Sequence, residues 1–278
     1  MIKNFFHYTR FESALKIIET CSLISTHPKN LNDPFECSPK IKKRDEYTSD
    51  EWNALFNQHV SHNTKLHRDA LLGYKLSGST QPFESYFRNN YDPEKIKFQE
   101  TMGKYFRIIS GSEQFDIPPM WAHYGENHSG VVIEFDLGQE PFSGLLVDGK
   151  TLGIVRIEYS LERLVYCHLT VQLSPEKGVI QFARNKDERW RYEAEARIIL
   201  PVGIENNPLL NNYYEVDSAK NLILKFPPQA IKTIYCGMRM TETNQNILKR
   251  LIKSRCNFPA TRIKQVKPCT SKFNLIEV

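Results

Sequence analysis

Residues 5–18 read Phe5-Phe6-His7-Tyr8-Thr9-Arg10-Phe11-Glu12-Ser13-Ala14-Leu15-Lys16-Ile17-Ile18, and the apolar pattern changes period partway along. The aromatic run at Phe5, Phe6 and Tyr8 reads as a short strand, after which Phe11, Ala14, Leu15, Ile17 and Ile18 recur at helical spacing. A strand feeding a helix is the first unit. Residues 23–26 predict a second strand, and Pro28, Asn30, Asn32, Asp33, Pro34 and Pro39 then fill a long ordered loop with turn formers. Such loops often line a site.

Working outward, residues 49–101 are richly charged and carry helical spacing at Trp52, Leu55 and Phe56, then at Leu66, Leu71, Leu72 and Leu76. They predict a helical insertion or lid. Strand signals follow at 105–110, 130–135, 154–159, 165–171, 196–200, 222–226 and 231–235, with a helix at 241–254 and strands near Ile263 and Phe273. With no internal repeat or low-complexity linker, the chain reads as one α+β domain over residues 1–278. Mixed, mostly antiparallel sheets would pack with helices, and the helical insertion would occupy about residues 49–101.

Composition excludes several classes. The 278 residues are 40% hydrophobic, enough for an ordinary core, so disorder is not the dominant state. No run of roughly 18 apolar residues occurs and the opening lacks a secretory signal, so the protein is expected in the cytoplasm with no membrane partner. Six cysteines are scattered without a C-x-x-C step. They read as reduced and structural, and no metal is expected. A net charge of +5 is mild, but Lys249, Arg250, Lys253, Arg255, Arg262, Lys264, Lys267 and Lys272 face only Glu277 in the tail. These cations form either a solvated helix face and a lysine-blunted edge strand or a phosphate-facing patch.

Four clusters carry functional residue types. His7-Tyr8-Thr9 ends the first strand, where an imidazole can use one nitrogen while a neighbour fixes the other, or can simply be a satisfied core histidine. Asn32-Asp33-Pro34-Phe35-Glu36 sets two carboxylates and an amide in a proline-locked turn, which either faces a polar ligand or closes on itself as an Asx turn. The stretch from Pro119 to Gly130 holds Trp121, His123, Tyr124 and His128. That mix suits stacking on a planar ring with hydrogen bonds at its rim, or a core Trp and Tyr with capping histidines. His123 and His128 lie five apart and miss the spacing of a helical zinc pair. Finally, Glu193, Glu195 and Arg197 fall on one face if all three lie on the strand that begins Ala196-Arg197-Ile198-Ile199. Two carboxylates projecting together suit one hydroxyl-binding and one polarising role, or an ion-paired ladder with Arg189, Arg191 and Arg197. Phosphate-loop and serine-hydrolase motifs are absent.

In order, His7-Tyr8-Thr9, Asn32-Asp33-Pro34-Phe35-Glu36, Met120-Trp121-Ala122-His123-Tyr124-Gly125 with His128 and Gly130, Trp190-Arg191-Tyr192-Glu193 through Arg197, and Ile234-Tyr235-Cys236-Gly237 resemble a widespread bacterial family of unknown function. The opening strand, histidine and helix, together with a late strand that begins at a glutamate, also resemble the ADP-ribosyltransferase superfamily. That second resemblance implies an ADP-ribosyltransferase-like fold with NAD as substrate. It casts His7 as the ribose anchor, Tyr124 or Trp121 as the residue stacked on nicotinamide and Glu195 as the catalytic carboxylate, with Tyr8, Thr9 and His123 as further NAD-binding candidates and Glu193 as a second catalytic candidate. Glu193-Ala194-Glu195 looks like the E-x-E step of arginine-modifying members. Those members carry arginine at the position of His7 and a Ser-Thr-Ser strand that this chain lacks, so their acceptor chemistry does not transfer.

Three functional expectations result. The first is an NAD-dependent ADP-ribosyltransferase or NAD glycohydrolase, as a toxin or phage-defence effector, with a nucleic acid or protein as acceptor. The second is a non-catalytic nucleotide- or nucleic-acid-binding module with Trp121 and Tyr124 as the stacking platform. Metal-dependent hydrolysis through His7, Asp33, His123 and Glu195 is the third.

Overall fold

The computed structural model of the chain describes residues 2–52, 54, 97–146, 153–166, 175–206, 212–218, 220–254 and 261–278. Most of the expected helical insertion, with His59 and His62, lies outside the described residues, as do Cys167 and Cys256. Residues 49–52 are helical, and the Trp52 indole is buried about 5.2 Å from the Tyr47 ring.

As the change of period predicts, β1 (Phe5–Thr9) runs into α1 (Phe11–Thr20), which is followed by β2 (Ser22–Ile24). Beyond the long loop come β3 (Lys40–Ile41), α2 (Phe98–Met102), β4 (Phe106–Ser112), α3 (Pro118–His123) and β5 (Val131–Phe135). Next are α4 (Phe142–Leu146), β6 (Gly153–Arg156), β7 (Glu158–Ser160) and β8 (Val165–Tyr166). Helix α5 (Pro175–Arg184), β9 (Asn185–Asp187) and a 3-10 helix (Glu188–Glu193) then lead into β10 (Glu195–Pro201). The described chain closes with β11 (Tyr214–Val216), β12 (Leu222–Lys225), β13 (Ile231–Cys236), α6 (Glu242–Ser254), β14 (Arg262–Pro268) and β15 (Leu275–Glu277).

Eight strands form one sheet in the order β15-β14-β13-β5-β1-β4-β10-β6. Among the described residues its one parallel pair, β13 with β14, is separated by α6, as a parallel connection requires. Smaller sheets join β11, β12 and β2, β3 with β8, and β7 with β9. The protein is thus α+β with mostly antiparallel pairing, as expected. Among the described residues no helix is long and apolar enough to cross a membrane.

Two readings of local structure change. Residues 154–159 do not make one strand: β6 pairs with β10, then the chain turns at Ile157 so that β7 pairs with β9. Glu193 does not lie on the strand of Glu195. It ends the 3-10 helix that Asp187 caps by accepting from the Arg189 amide, and Ala194 turns left-handed (φ 43°) before β10 begins.

The side-chain period of two divides the sheet into faces. On one face Phe5, Ile109, Ile133, Ala196 and Ile198 pack with Phe11, Ile18 and Ala14 of α1 and Leu248 and Ile252 of α6. The other face carries two apolar clusters. One holds Phe6, Tyr8, Met120, Trp121, Val132 and Tyr235, and the second holds Phe106, Ile108 and Ile199 with Phe98 and Phe182. Between them the same face becomes polar: Glu195 lies opposite Ser112 and Arg197 opposite Ser110. The site occupies this seam.

Candidate functional site

Strand β1 pairs with β5 along its whole length but with β4 only where Phe6 meets Ser112. Beyond that point His7 Nδ1 donates to the Ser110 carbonyl at 3.0 Å, in place of a ladder bond. A cavity of about 180 Å³ opens here, lined by His7, Tyr8, Asn32, Glu36, Tyr124 and Lys186 together with Glu193 and Glu195. With Nδ1 committed to a carbonyl, the neutral imidazole leaves Nε2 as an acceptor. Burial lowers the His7 pKa by more than the Ser110 bond raises it, so the ring is neutral at pH 7.

The cavity wall is a buried ionic cluster. Lys186 Nζ donates to Glu193 Oε2 at 2.5 Å and to Glu195 Oε2 at 2.9 Å. It also lies 3.0 Å from Glu36 Oε1, off the hydrogen-bonding direction, so that contact is electrostatic. Arg197, 0% exposed, spans Glu195 with Nε to Oε1 at 2.5 Å and Nη2 to Oε2 at 3.0 Å. Its Nη2 also donates to Glu36 Oε2, and Nη1 donates to the Ala183 carbonyl at 2.9 Å. Every guanidinium edge is thereby engaged. On the open side Asn32 Nδ2 donates to the Tyr124 hydroxyl at 2.7 Å, and Tyr124 donates to Glu193 Oε1 at 2.8 Å.

Three carboxylates share two cations, which leaves the cluster one negative charge in excess when all are ionised. The two glutamates of Glu193-Ala194-Glu195 respond differently. Burial pushes Glu195 up, but Arg197 and Lys186 outweigh it and hold the carboxyl down at about 2. At Glu193 burial exceeds the pull of Lys186, and the repulsion from Glu195 adds to it, so its pKa is raised. Glu195 is therefore a fixed anion, and Glu193 is the carboxylate that binds a proton more readily. Tyr159 donates no charge here but its hydroxyl accepts from the Glu195 amide at 2.8 Å, and burial raises its pKa to about 12.

The residues singled out by sequence divide cleanly. His7, Tyr8, Asn32, Glu36, Tyr124, Glu193 and Glu195 share the cavity, with Arg197 directly behind it. Asp33 does not line it: Oδ1 accepts from the Phe35 amide at 2.9 Å, which is the Asx-turn alternative. Trp121 is 0% exposed, its indole Nε1 donates to the Phe115 carbonyl at 2.6 Å, and its ring lies edge-on to Tyr8. No face of it is open to a ligand. His123 is exposed at the end of α3, outside the cavity lining. Thr9 is buried at the end of β1.

His128 has a structural setting. Glu126, Asn127 and His128 are successive left-handed residues (φ 50°, 51° and 69°), a conformation disfavoured for residues with a Cβ. The turn persists because it is held at several points. Glu126 Oε2 caps α1 by accepting from the Phe11 amide, the His128 carbonyl accepts from the Arg239 amide, and Arg239 also donates to Asn127. Close approach explains the glycines: a Cβ on Gly237 would sit 2.1 Å from the His128 carbonyl oxygen, and one on Gly130 2.5 Å from that of Thr9.

Lys186 is the site residue that sequence reasoning missed. It sits in the run Lys186-Asp187-Glu188-Arg189, where a charged residue reads as solvent-facing, and nothing in the local pattern marks it as buried. Gly111 carried no signal either. It gives room to the Phe5 ring, which would be 2.6 Å from a Cβ there.

Among the described residues no group of three or more His, Cys, Asp or Glu side chains is arranged to hold a metal ion, and His7, Asp33, His123 and Glu195 do not meet in one cavity. No family model, no curated protein and no solved structure matches the chain.

Proposed function

We propose that the protein cleaves the nicotinamide–ribose bond of NAD, as an ADP-ribosyltransferase or NAD glycohydrolase with an ADP-ribosyltransferase-like fold. The observation that carries this reading is that His7 on β1 and Glu195 at the head of β10, on either side of β4, line one cavity with Tyr124 and an excess of one carboxylate over cations. A glycosyl bond that breaks with oxocarbenium character develops positive charge, and a preorganised anion held out of water stabilises it most. Nicotinamide leaves as a neutral base, so no acid is needed at the leaving group. The cavity is small beside the roughly 300–1,000 Å³ of most ligand sites, so it takes the nicotinamide-ribose end and leaves the adenosine outside.

In this reading the neutral His7 ring accepts from a ribose hydroxyl and Glu195 faces the sugar cation. As the C–N bond breaks, its electron pair leaves with nicotinamide. The acceptor oxygen or nitrogen then bonds to the anomeric carbon, and its proton passes to Glu193. With water as acceptor the products are nicotinamide, ADP-ribose and a proton. The alternative, a non-catalytic nucleotide- or nucleic-acid-binding module, loses half of its stacking platform to the burial of Trp121.

The test is nicotinamide release from NAD by the purified protein, alone and with bacterial DNA, RNA or protein lysate. Release that disappears in a folded Glu195→Gln variant supports the reading, and dependence on one lysate fraction identifies the acceptor class. Absence of release under every condition by the folded protein would sink it.

A further inference from the structure

We propose that Lys186 is a positioning residue of this cavity: its ammonium gathers Glu36, Glu193 and Glu195 around one point and holds the two later carboxylates on the wall of the cavity that His7 also lines. The inference deepens the NAD reading and rests on it for what the carboxylates then do. Its structural basis is separate. Glu193 and Glu195 flank the turn from the 3-10 helix into β10, whereas Glu36 comes from the loop after β2, a segment with no reason of its own to join them. Lys186 arrives from β9, buried, with its Nζ about 5.1 Å from the centre of the Trp190 ring. An ammonium has three donors and no acceptor, so it can bridge several acids without presenting a lone pair to a substrate.

Arg197 could neutralise much of the cluster alone, yet it touches Glu195 and Glu36 and not Glu193. Lys186 is the cation that reaches all three. Without it the Glu193 carboxylate would keep only the Tyr124 hydroxyl as a donor and would face Glu195 unscreened. The other titratable groups around Glu193 are Tyr159 on β7 and Tyr192 on its own helix, and neither is a cation. Lys186 thus opposes the effect of burial on Glu193, and shares with Arg197 the hold on Glu195.

The experiment is a carboxyl-carbon NMR titration of Glu193 and Glu195 in the wild-type protein and in Lys186→Met, read beside the pH profile of nicotinamide release. An opposite charge at this range displaces a carboxyl pKa by about 1–3 units. Both midpoints are therefore expected to rise by that amount in Lys186→Met, with the acid limb of the pH profile moving upward in step. Unchanged midpoints in folded Lys186→Met would overturn the proposal. If that variant does not fold, the ammonium resonance of Lys186 in the wild-type protein decides. A slowly exchanging signal that shifts as Glu193 titrates supports the assignment, and one that ignores Glu193 overturns it. Because the NMR needs no turnover, absence of nicotinamide release would remove the NAD reading while leaving the test of Lys186 intact.

Discussion

Replacing Arg197 with methionine keeps most of its volume and removes its charge from the centre of the sheet seam. The guanidinium is fully buried and donates to Glu195 twice, to Glu36 and to the Ala183 carbonyl. Its loss takes the cluster from one excess negative charge to two. Breaking a buried pair by deleting one partner costs about 3–5 kcal/mol, and for a chain of this size that lowers Tm by roughly 6–20 °C. The sign of the pH dependence follows from Glu195. Its folded pKa of about 2 lies below the roughly 4.3 of an unfolded glutamate. The wild-type protein thus gains stability above the unfolded value and loses it as pH falls toward 2. In Arg197→Met burial is opposed by Lys186 alone, the Glu195 carboxyl binds its proton more tightly, and the deficit is greatest where carboxylates must be ionised. Urea denaturation at pH 8, 6 and 4 should therefore show a stability loss that shrinks as pH falls. The double variant with Glu195→Gln should recover part of it. A loss under about 1 kcal/mol at pH 8, or one that does not change with pH, would refute the account of the cluster, because it would mean the charges are already solvated or otherwise compensated.

Two further outcomes are expected. Gly237→Ala should destabilise the protein by about 1–3 kcal/mol, because its Cβ meets the His128 carbonyl, a backbone atom that cannot swing aside; an unchanged melting temperature would show that the left-handed turn yields. Trp121→Phe should cost roughly 2 kcal/mol by leaving the Phe115 carbonyl without its indole donor, with NAD affinity unaltered. Loss of affinity at full stability, measured by calorimetry, would return Trp121 to the ligand site.

Local sequence determined a great deal of this fold. Helices α1 and α6 were legible because each carries its own apolar period, and the strands of the sheet's centre because they are short β-branched and aromatic runs buried on both faces, as in β5 and β10. The pairing of Glu195 with Arg197 across one strand face was legible from the alternation of side chains along a strand. Alternation does not reach Glu193, because the 3-10 helix capped by Asp187 ends there and a left-handed alanine separates it from β10.

The site itself was decided by tertiary structure. His7 and Glu195 are 188 positions apart in number, and they line one cavity because their strands flank β4 and because β1 parts from β4 after a single pair. A tryptophan, a histidine and an aspartate in a motif look alike whether they face a ligand or a carbonyl. The chain could name the residue types, but only packing showed that Trp121 donates to a carbonyl and Asp33 closes its own turn through Oδ1, while Tyr124 and Glu36 open on the cavity. Lys186 is the clearest case, since a lysine is ordinarily driven to water and is held inside here by Glu193 and Glu195, close by in the chain, and by Glu36, which only the fold brings near. Burial of a charge depends on how its partners pack around it, whether near or far in sequence, and no apolar period encodes that.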